Sequence, residues 1–373
     1  MQYLAVLGRQ PEISLAELEA LFSDVKKQSC LIAFFKSDAE PRLARLGGSL
    51  KLAKKLENIS PEEYLLGLPD GKITLGLSDY TYGDKKYSSR DIKNISQYGN
   101  RIKQALKAEG RSVRLLPNST PAISTAAAHH NGLGRSPKKV ELIKFRGDWF
   151  VSLGSQNITA YKNRDQVRPA RDAKVGMLPP KLAQILINLC GPLPIDTTIL
   201  DPFCGTGVVL QEALLMGYNV YGTDKDERMV KYTEKNLTWL SKKQHLNQKI
   251  TLEQGDATSF QWTEPFGAVV AETYLGPPMS EPPADIKLKT AKEECGAIFA
   301  GFLKNLAPQI TPDTPIVLAL PAWRRRDGSF ARLKTIDEIE KLGYNVLNKS
   351  AGGLLYAREN QVVAREIIVL RKK

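Results

Sequence analysis

Histidine is almost missing from this 373-residue chain: there are three, and His129 and His130 are adjacent. That leaves too few imidazoles at ligand spacing for a His-built metal centre, and no metal is expected. Cysteine is scarce as well. Cys30, Cys190, Cys204 and Cys295 lie far apart, with no CxxC pair and no histidine nearby. A zinc cluster and a disulfide framework are both excluded, and buried reduced thiols are expected instead. No uninterrupted apolar run reaches the roughly 18 residues that span a bilayer. The opening MQYLAVLGRQPEIS has neither a basic leader nor a small-residue cleavage site, so a cytoplasmic protein is expected. Internal repeats and low-complexity tracts are also lacking.

What is present is ordinary in amount and uneven in place. Hydrophobic residues make up 42% and charged residues 25%, as in soluble globular proteins, and the length suggests two or three domains. Acidic residues are in short supply, 40 against 53 basic, for a net charge of +13. From Asp84 to Arg146 there are fourteen Lys or Arg against four acids. Such a segment is either a solvated basic surface or a phosphate-binding face. Arg111, Arg114, Lys138, Lys139, Lys144 and Arg146 are its candidate nucleic-acid contacts.

Four stretches follow from the periodicity. Residues 1–65 read as a small α+β domain. YLAVLG and CLIAFF are its strands, SLAELEALF is a helix with Ser14 and Glu17 spaced as a capping box, and RLARLGGSLKLAKKL is glycine-broken and then helical. Residues 66–160 form a second α+β domain around the basic helix DIKNISQYGNRIKQALKAEG, with Gly110 placed to end it. Residues 161–180, polar and punctuated by proline, read as a linker. From 181 to 373, helices alternate with the short apolar strands TTIL, NVYGTD, ITLEQGD, FGAVVAE and TPIVLAL. This is the pattern of a doubly wound, mostly parallel sheet, closed by an antiparallel hairpin in GGLLYARENQVVAREIIVLRK.

In that last stretch, DPFCGTG at 201–207 follows one strand and opens a helix. Asp201 stands at the carboxyl edge of the sheet, where open α/β sheets bind ligands. Gly205 and Gly207 allow a positive φ and a close backbone approach, and the following helix offers its N–H groups to an anion. A dinucleotide turn would want a third glycine where Leu210 stands, and a P-loop would want a lysine that is absent. The remaining reading is a small ligand with a carboxylate and a ribose. The next strand ends in Asp224, placed for a ribose hydroxyl pair, and GDAT supplies Asp256 for an exocyclic amine such as that of adenine. An acid, two glycines and two further acids at consecutive strand ends describe a site for S-adenosylmethionine.

DPFCGTGVVLQEALLMGYNVYGTDKDERMV with GDAT resembles the methyltransferase domain of the THUMP-domain tRNA guanine-N2 methyltransferases. RDQVRPARD and GMLPPKLAQILINL are similar to that family's linker and first helix. GRSVRLLPN and AISTAAAHHNGL are similar to its THUMP domain, and YLAVLGRQPEISLAELEAL and RLGGSLKLAKKL to its ferredoxin-like domain. The resemblance implies a Rossmann-like class I methyltransferase domain preceded by ferredoxin-like (1–65) and THUMP (66–160) domains. It also implies S-adenosylmethionine as methyl donor and tRNA as partner, held at its acceptor end by the THUMP domain. By carry-over, Asp201, Phe203, Cys204, Gly205 and Gly207 surround the methionine part of the cofactor. Asp224 holds the ribose, and Asp256 and Ala257 lie by the adenine.

One motif departs. The family ends its fourth strand in [DN]-P-P-[YF], and this chain has Glu272, Thr273, Tyr274 and Leu275. The acid is one methylene longer, both prolines are gone, and Tyr274 is left as a shifted stacking face. Glu272 is the expected catalytic residue, orienting and partly deprotonating the acceptor amine. Two alternatives stay open: an RNA-binding protein with a degenerate, non-catalytic domain, and an amine methyltransferase acting on rRNA or DNA.

Overall fold

The apolar hexapeptide QYLAVL forms β1 (Gln2–Leu7) of a computed structural model that describes residues 1–83, 85–172, 177–348, 353–359 and 361–373. Two units are distinguished, Met1–Tyr161 and Lys162–Lys373. In the first, β1 is followed by α1 (Pro11–Leu21), β2 (Ser23–Lys27), β3 (Ile32–Lys36), β4 (Ser49–Lys55) and α2 (Pro61–Leu66). The chain continues through β5 (Ile73–Asp79), α3 (Ser89–Ala108), β6 (Val113–Leu115), α4 (Thr125–Asn131), β7 (Lys139–Phe145) and β8 (Asp148–Ser155). All eight strands lie in one sheet, ordered β2-β3-β1-β4-β8-β7-β5-β6.

The first four strands, antiparallel throughout, keep the ferredoxin-like order, with a short 3-10 turn at Leu43–Arg45 in place of the second crossover helix. The expected boundary near residue 65 does not separate two sheets. β4 pairs along its length with β8, so residues from both expected domains share one sheet and one unit. The helix expected over the end of RLARLGGSLKLAKKL is β4. Leu52 and Ala53 are wholly buried there, between two partner strands, so tertiary pairing overrides the helical propensity of leucine, alanine and lysine. Nor do Ser14 and Glu17 form a capping box. Pro11 starts α1 earlier, with Gln10 as its cap. Ser14 Oγ donates to Gln10 O at 3.1 Å, while the buried Glu17 carboxylate accepts from Gly47 N and Gly48 N, each at 2.8 Å. Gly110, by contrast, follows α3 in the left-handed conformation, φ +74°, and terminates it as expected.

The second unit contains most of α5 (Ile158–Gln166), then α6 (Pro180–Asn188), β9 (Thr198–Asp201), α7 (Val208–Leu215), β10 (Asn219–Asp224), α8 (Glu227–Gln244), β11 (Ile250–Gln254) and β12 (Ala268–Glu272). α9 (Asp285–Leu306), β13 (Ile316–Arg324), β14 (Phe330–Ala331), β15 (Tyr344–Val346), β16 (Leu354–Tyr356) and β17 (Val363–Lys372) complete it. Its sheet runs β11-β10-β9-β12-β13-β17-β15, with β14 on β13 and β16 on β17. The pairs from β11 to β13 are parallel, and β17 lies antiparallel between β13 and β15. The expected hairpin is the β16–β17 pair; Gly352 and Asn360 of its quoted stretch lie outside the described residues.

β9 has β10 on one side and β12 on the other, so the winding reverses between β9 and β12. A crevice opens at the carboxyl ends of strands at such a point. Part of the expected linker is fixed to this unit: Asn236 of α8 accepts from Ala170 N and donates to Ala170 O, both at 2.9 Å. Residues 173–176 lie outside the described set. Among the described residues, no helix is long and apolar enough to cross a membrane.

Candidate active site

Three adjacent parallel strands each end in a carboxylate: Asp224 on β10, Asp201 on β9 and Glu272 on β12. They face a cleft of about 1160 Å³ that is also lined by Phe203, Cys204, Gly205, Asp256 and Ala257. Eight of the nine residues expected to form the site are thus brought together. The ninth, Gly207, stands just behind the wall. It caps α7 at φ +81°, and a Cβ there would lie 2.8 Å from Thr233 Cγ2, so glycine is required for the helices to approach. At Gly205, φ is +54°, and a Cβ would meet only Phe203 O, at 3.9 Å. That side of the turn is open.

The turn is fixed from behind by α8. Thr233 Oγ1 donates to Gly205 O at 2.8 Å, and Asn236 Nδ2 donates to Thr206 O at 2.9 Å. Asp224 is fixed at both oxygens, accepting from Gly205 N and Asp226 N, each at 2.9 Å. Burial raises its pKa, and those two amides restrain the rise. Asp201 accepts from Phe203 N at 3.1 Å. Burial pushes its carboxyl far upward, and the charges of Asp224 and Glu272 add to the shift. Asp256 behaves oppositely. Hydrogen bonds from Thr258, at 2.7 Å from the hydroxyl and 3.0 Å from the amide, and the nearby Lys225 ammonium keep its carboxyl below the usual range. The cleft therefore combines neutralising pressure at its floor with a stable anion at its edge.

Glu272 has a partner that sequence reasoning missed. Arg365 on β17 donates from Nε to Glu272 Oε1 at 2.7 Å, and its side chain is only 2% exposed. Burial raises the Glu272 pKa while Arg365 opposes the rise. A signal was available: Arg365 and Glu366 interrupt the apolar run from Val362 to Leu370, and a buried charge needs a partner. Lys225, Thr258, Met177 and Met279 also line the cleft unforeseen. Beyond β12, Tyr274 is 38% exposed and lines the cleft with Leu275, Pro277 and Pro278.

The basic candidates of the first unit differ in their surroundings. Arg111 is engaged within the first unit. It pairs with Asp70 at 2.7 Å and donates to Leu68 O and Pro69 O at 2.8 and 3.0 Å. Lys138 donates to Asp70 O at 3.1 Å. Arg146 donates to Gln28 O at 3.1 Å and lies over Phe145. Lys144 sits over Trp149 and borders a second cleft of about 260 Å³ with Asp79, Tyr98 and Arg101. Arg114 and Lys139 are exposed.

Residues 168–295 match the family described as UPF0020, the RMKL-like methyltransferase domain. The matched span lies in the second unit and includes β9 to β12 of its Rossmann-like sheet. The chain is also similar to two proteins named tRNA (guanine(10)-N2)-dimethyltransferase. That of Methanothermobacter thermautotrophicus is 35% identical over 179 residues, 47% of this chain and 48% of the relative. The chain therefore spans about half the length of that relative. That of Pyrococcus abyssi is 26% identical over 320 residues, 83% of this chain and 88% of the relative. Among solved structures, TrmN from Thermus thermophilus is 17% identical, with complete coverage of both chains and a TM-score of 0.48.

Proposed function

We propose that this chain is an S-adenosylmethionine-dependent methyltransferase acting on the exocyclic N2 amine of a guanosine in tRNA. The observation that carries the reading is the convergence of the 201–207 turn, Asp224, Asp256 and Glu272 on one cleft at the reversal point of the sheet. The names of the two relatives support the choice of substrate.

The residues present fit the cofactor. The open side of Gly205 and the unpaired first-turn amides of α7 suit a methionine carboxylate. Asp224, already oriented by two backbone amides, suits a ribose hydroxyl pair. Asp256 and Ala257 suit an adenine edge, and Met177, Met229 and Ile298 add apolar lining. When bound, S-adenosylmethionine supplies a methyl group whose bond to sulfur breaks with its electrons returning to sulfur as the new C–N bond forms.

The protein's part is placement. Glu272 accepts a hydrogen bond from the acceptor amine, which orients the nitrogen lone pair and offsets the charge developing on it. Tyr274, half-exposed on the cleft wall, offers a ring for the base to stack on. The first unit, read as ferredoxin-like and THUMP-like portions of one sheet, grips RNA through phosphates.

A second reading, RNA binding without chemistry, is favoured by one feature, the loss of both prolines after Glu272. Incubation with bulk RNA and methyl-labelled S-adenosylmethionine, followed by nucleoside analysis, separates the two. Labelled N2-methylguanosine or N2,N2-dimethylguanosine in tRNA is expected. No labelled nucleoside in any RNA would leave only the binding reading.

A further inference from the structure

Methyl transfer to an exocyclic amine needs an acceptor group that is both ionised and fixed, and the cleft works against both. Glu272 has three methylene or carboxyl torsions to set where a shorter aspartate has fewer, and no proline stiffens the residues after it. It also shares the cleft with the Asp201 carboxylate on β9 and, beyond that, Asp224 on β10. Cys204 and Glu294 line the same space, and Glu366, next along β17, is instead paired with Arg332 at 2.7 Å. The cation that meets Glu272 is Arg365, from the antiparallel strand β17.

We propose that Arg365 is a positioning residue of the methyl-transfer site: its guanidinium anchors Oε1 of Glu272 so that Oε2 is presented to the acceptor amine. The inference rests on the function proposed above. Three observations carry it. The Nε–Oε1 hydrogen bond is 2.7 Å long, and the arginine side chain is 2% exposed against 15% for the glutamate. The anchor is therefore the buried partner and the glutamate the accessible one. Arg365 itself is restrained, with Nη1 3.4 Å from Val363 O, and β17 is zipped to β13 from Val363 through Leu370. Finally, the arginine engages Oε1, and Glu272 itself lines the cleft, so Oε2 is the oxygen we assign to the acceptor. It is the oxygen left to receive an N–H, and after transfer the proton of that N–H.

The same contact explains how a fourth-strand motif with both prolines missing can still hold its acid. The rigidity comes from a neighbouring strand rather than from the loop itself. Arg365 also opposes the tendency of burial to protonate Glu272. Removing Arg365 should therefore move the acid limb of the pH–rate profile upward, so that activity lost at neutral pH returns in part at higher pH.

The test is single-turnover methylation of tRNA by the full chain, with Arg365→Gln and Arg365→Lys measured alone and in a Glu272→Gln background. Arg365→Gln should lower kcat by about 10²-fold with little change in KM or in S-adenosylmethionine affinity. Its acid limb should shift to higher pH, and Arg365→Lys should recover part of the rate. In the Glu272→Gln background, Arg365→Lys should have almost no further effect, because the residue acts through Glu272. Calorimetric melting is measured throughout, and where Arg365→Gln does not fold, the lysine variant and the cycle decide. Equal rates for the parent and both variants, or additive losses in the cycle, would overturn the proposal. An inactive parent would instead strike at the function on which it rests.

Discussion

Asp224 and the two glycines of the 201–207 turn separate binding from folding at single positions. Asp224 accepts two backbone amides and faces the cleft. Asp224→Ala should remove a charge-assisted hydrogen bond to the ribose, weakening S-adenosylmethionine by about 1.5–3 kcal/mol, which titration calorimetry reads directly. Unchanged affinity would remove Asp224 from the site. Both glycines have positive φ, so alanine at either position strains the backbone by about 1 kcal/mol. Gly207→Ala must in addition displace Thr233, which itself fixes Gly205 O. We expect Gly207→Ala to lower the melting temperature clearly more than Gly205→Ala, and Gly205→Ala to act mainly on cofactor affinity, because its Cβ points into open space. A calorimetric scan beside a binding titration on both variants checks the split, and the reverse ranking of melting temperatures would refute it.

A buried ion pair joins the strands in the middle of the first unit's sheet. Lys51 on β4 bonds Glu141 on β7 and donates to Ile123 O at 2.6 Å, while Ser78 on β5 donates to the same glutamate at 2.5 Å and accepts from Ile123 N at 2.9 Å. Both charged side chains are almost wholly buried. Lys51→Met leaves Glu141 uncompensated and should cost about 3–5 kcal/mol. Adding Glu141→Leu should restore most of that, because an apolar pair of similar volume has no desolvation cost to offset. Urea unfolding of the two variants decides it, and a double variant as weak as the single would mean that the network's shape matters more than its charge. Nothing in the sequence announced this pair. Lys51 reads as one more lysine of SLKLAKK, and the same lysines suggested a helix where β4 runs between β1 and β8. Long-range pairing decides such a segment, and a local window does not contain it. The parallel sheet of the second unit was legible because β9, β10 and β12 are short apolar runs, each ending in a chemically distinctive residue, Asp201, Asp224 or Glu272. The pairing of Arg365 with Glu272 was not, because the two lie 93 positions apart and only the antiparallel insertion of β17 brings them together.

Over the whole molecule, charge is divided as the proposed reaction needs, with acids lining the cleft and a basic excess between residues 84 and 146. If that excess binds tRNA, affinity comes from counterions released by the exposed cations of the segment. The geometry ranks them. Arg111 is committed to Asp70 and two carbonyls, and its side chain is 11% exposed. Arg114 is exposed on β6, and Lys139 is exposed at the start of β7. Arg114→Ala and Lys139→Ala should each lower the slope of log affinity against log salt by about 0.7–0.9 without changing the melting temperature. Arg111→Ala should leave that slope nearly unchanged and lower the melting temperature by freeing the 68–70 turn. Because phosphate contacts position the RNA and take no part in the bond change, the two slope variants should reduce kcat/KM for tRNA while kcat at saturation stays close to the parent value. Filter binding of tRNA over a series of salt concentrations, run beside steady-state methylation, measures both quantities on the same preparations. A slope unmoved by the Arg114 and Lys139 substitutions together would mean that neither cation meets an RNA phosphate.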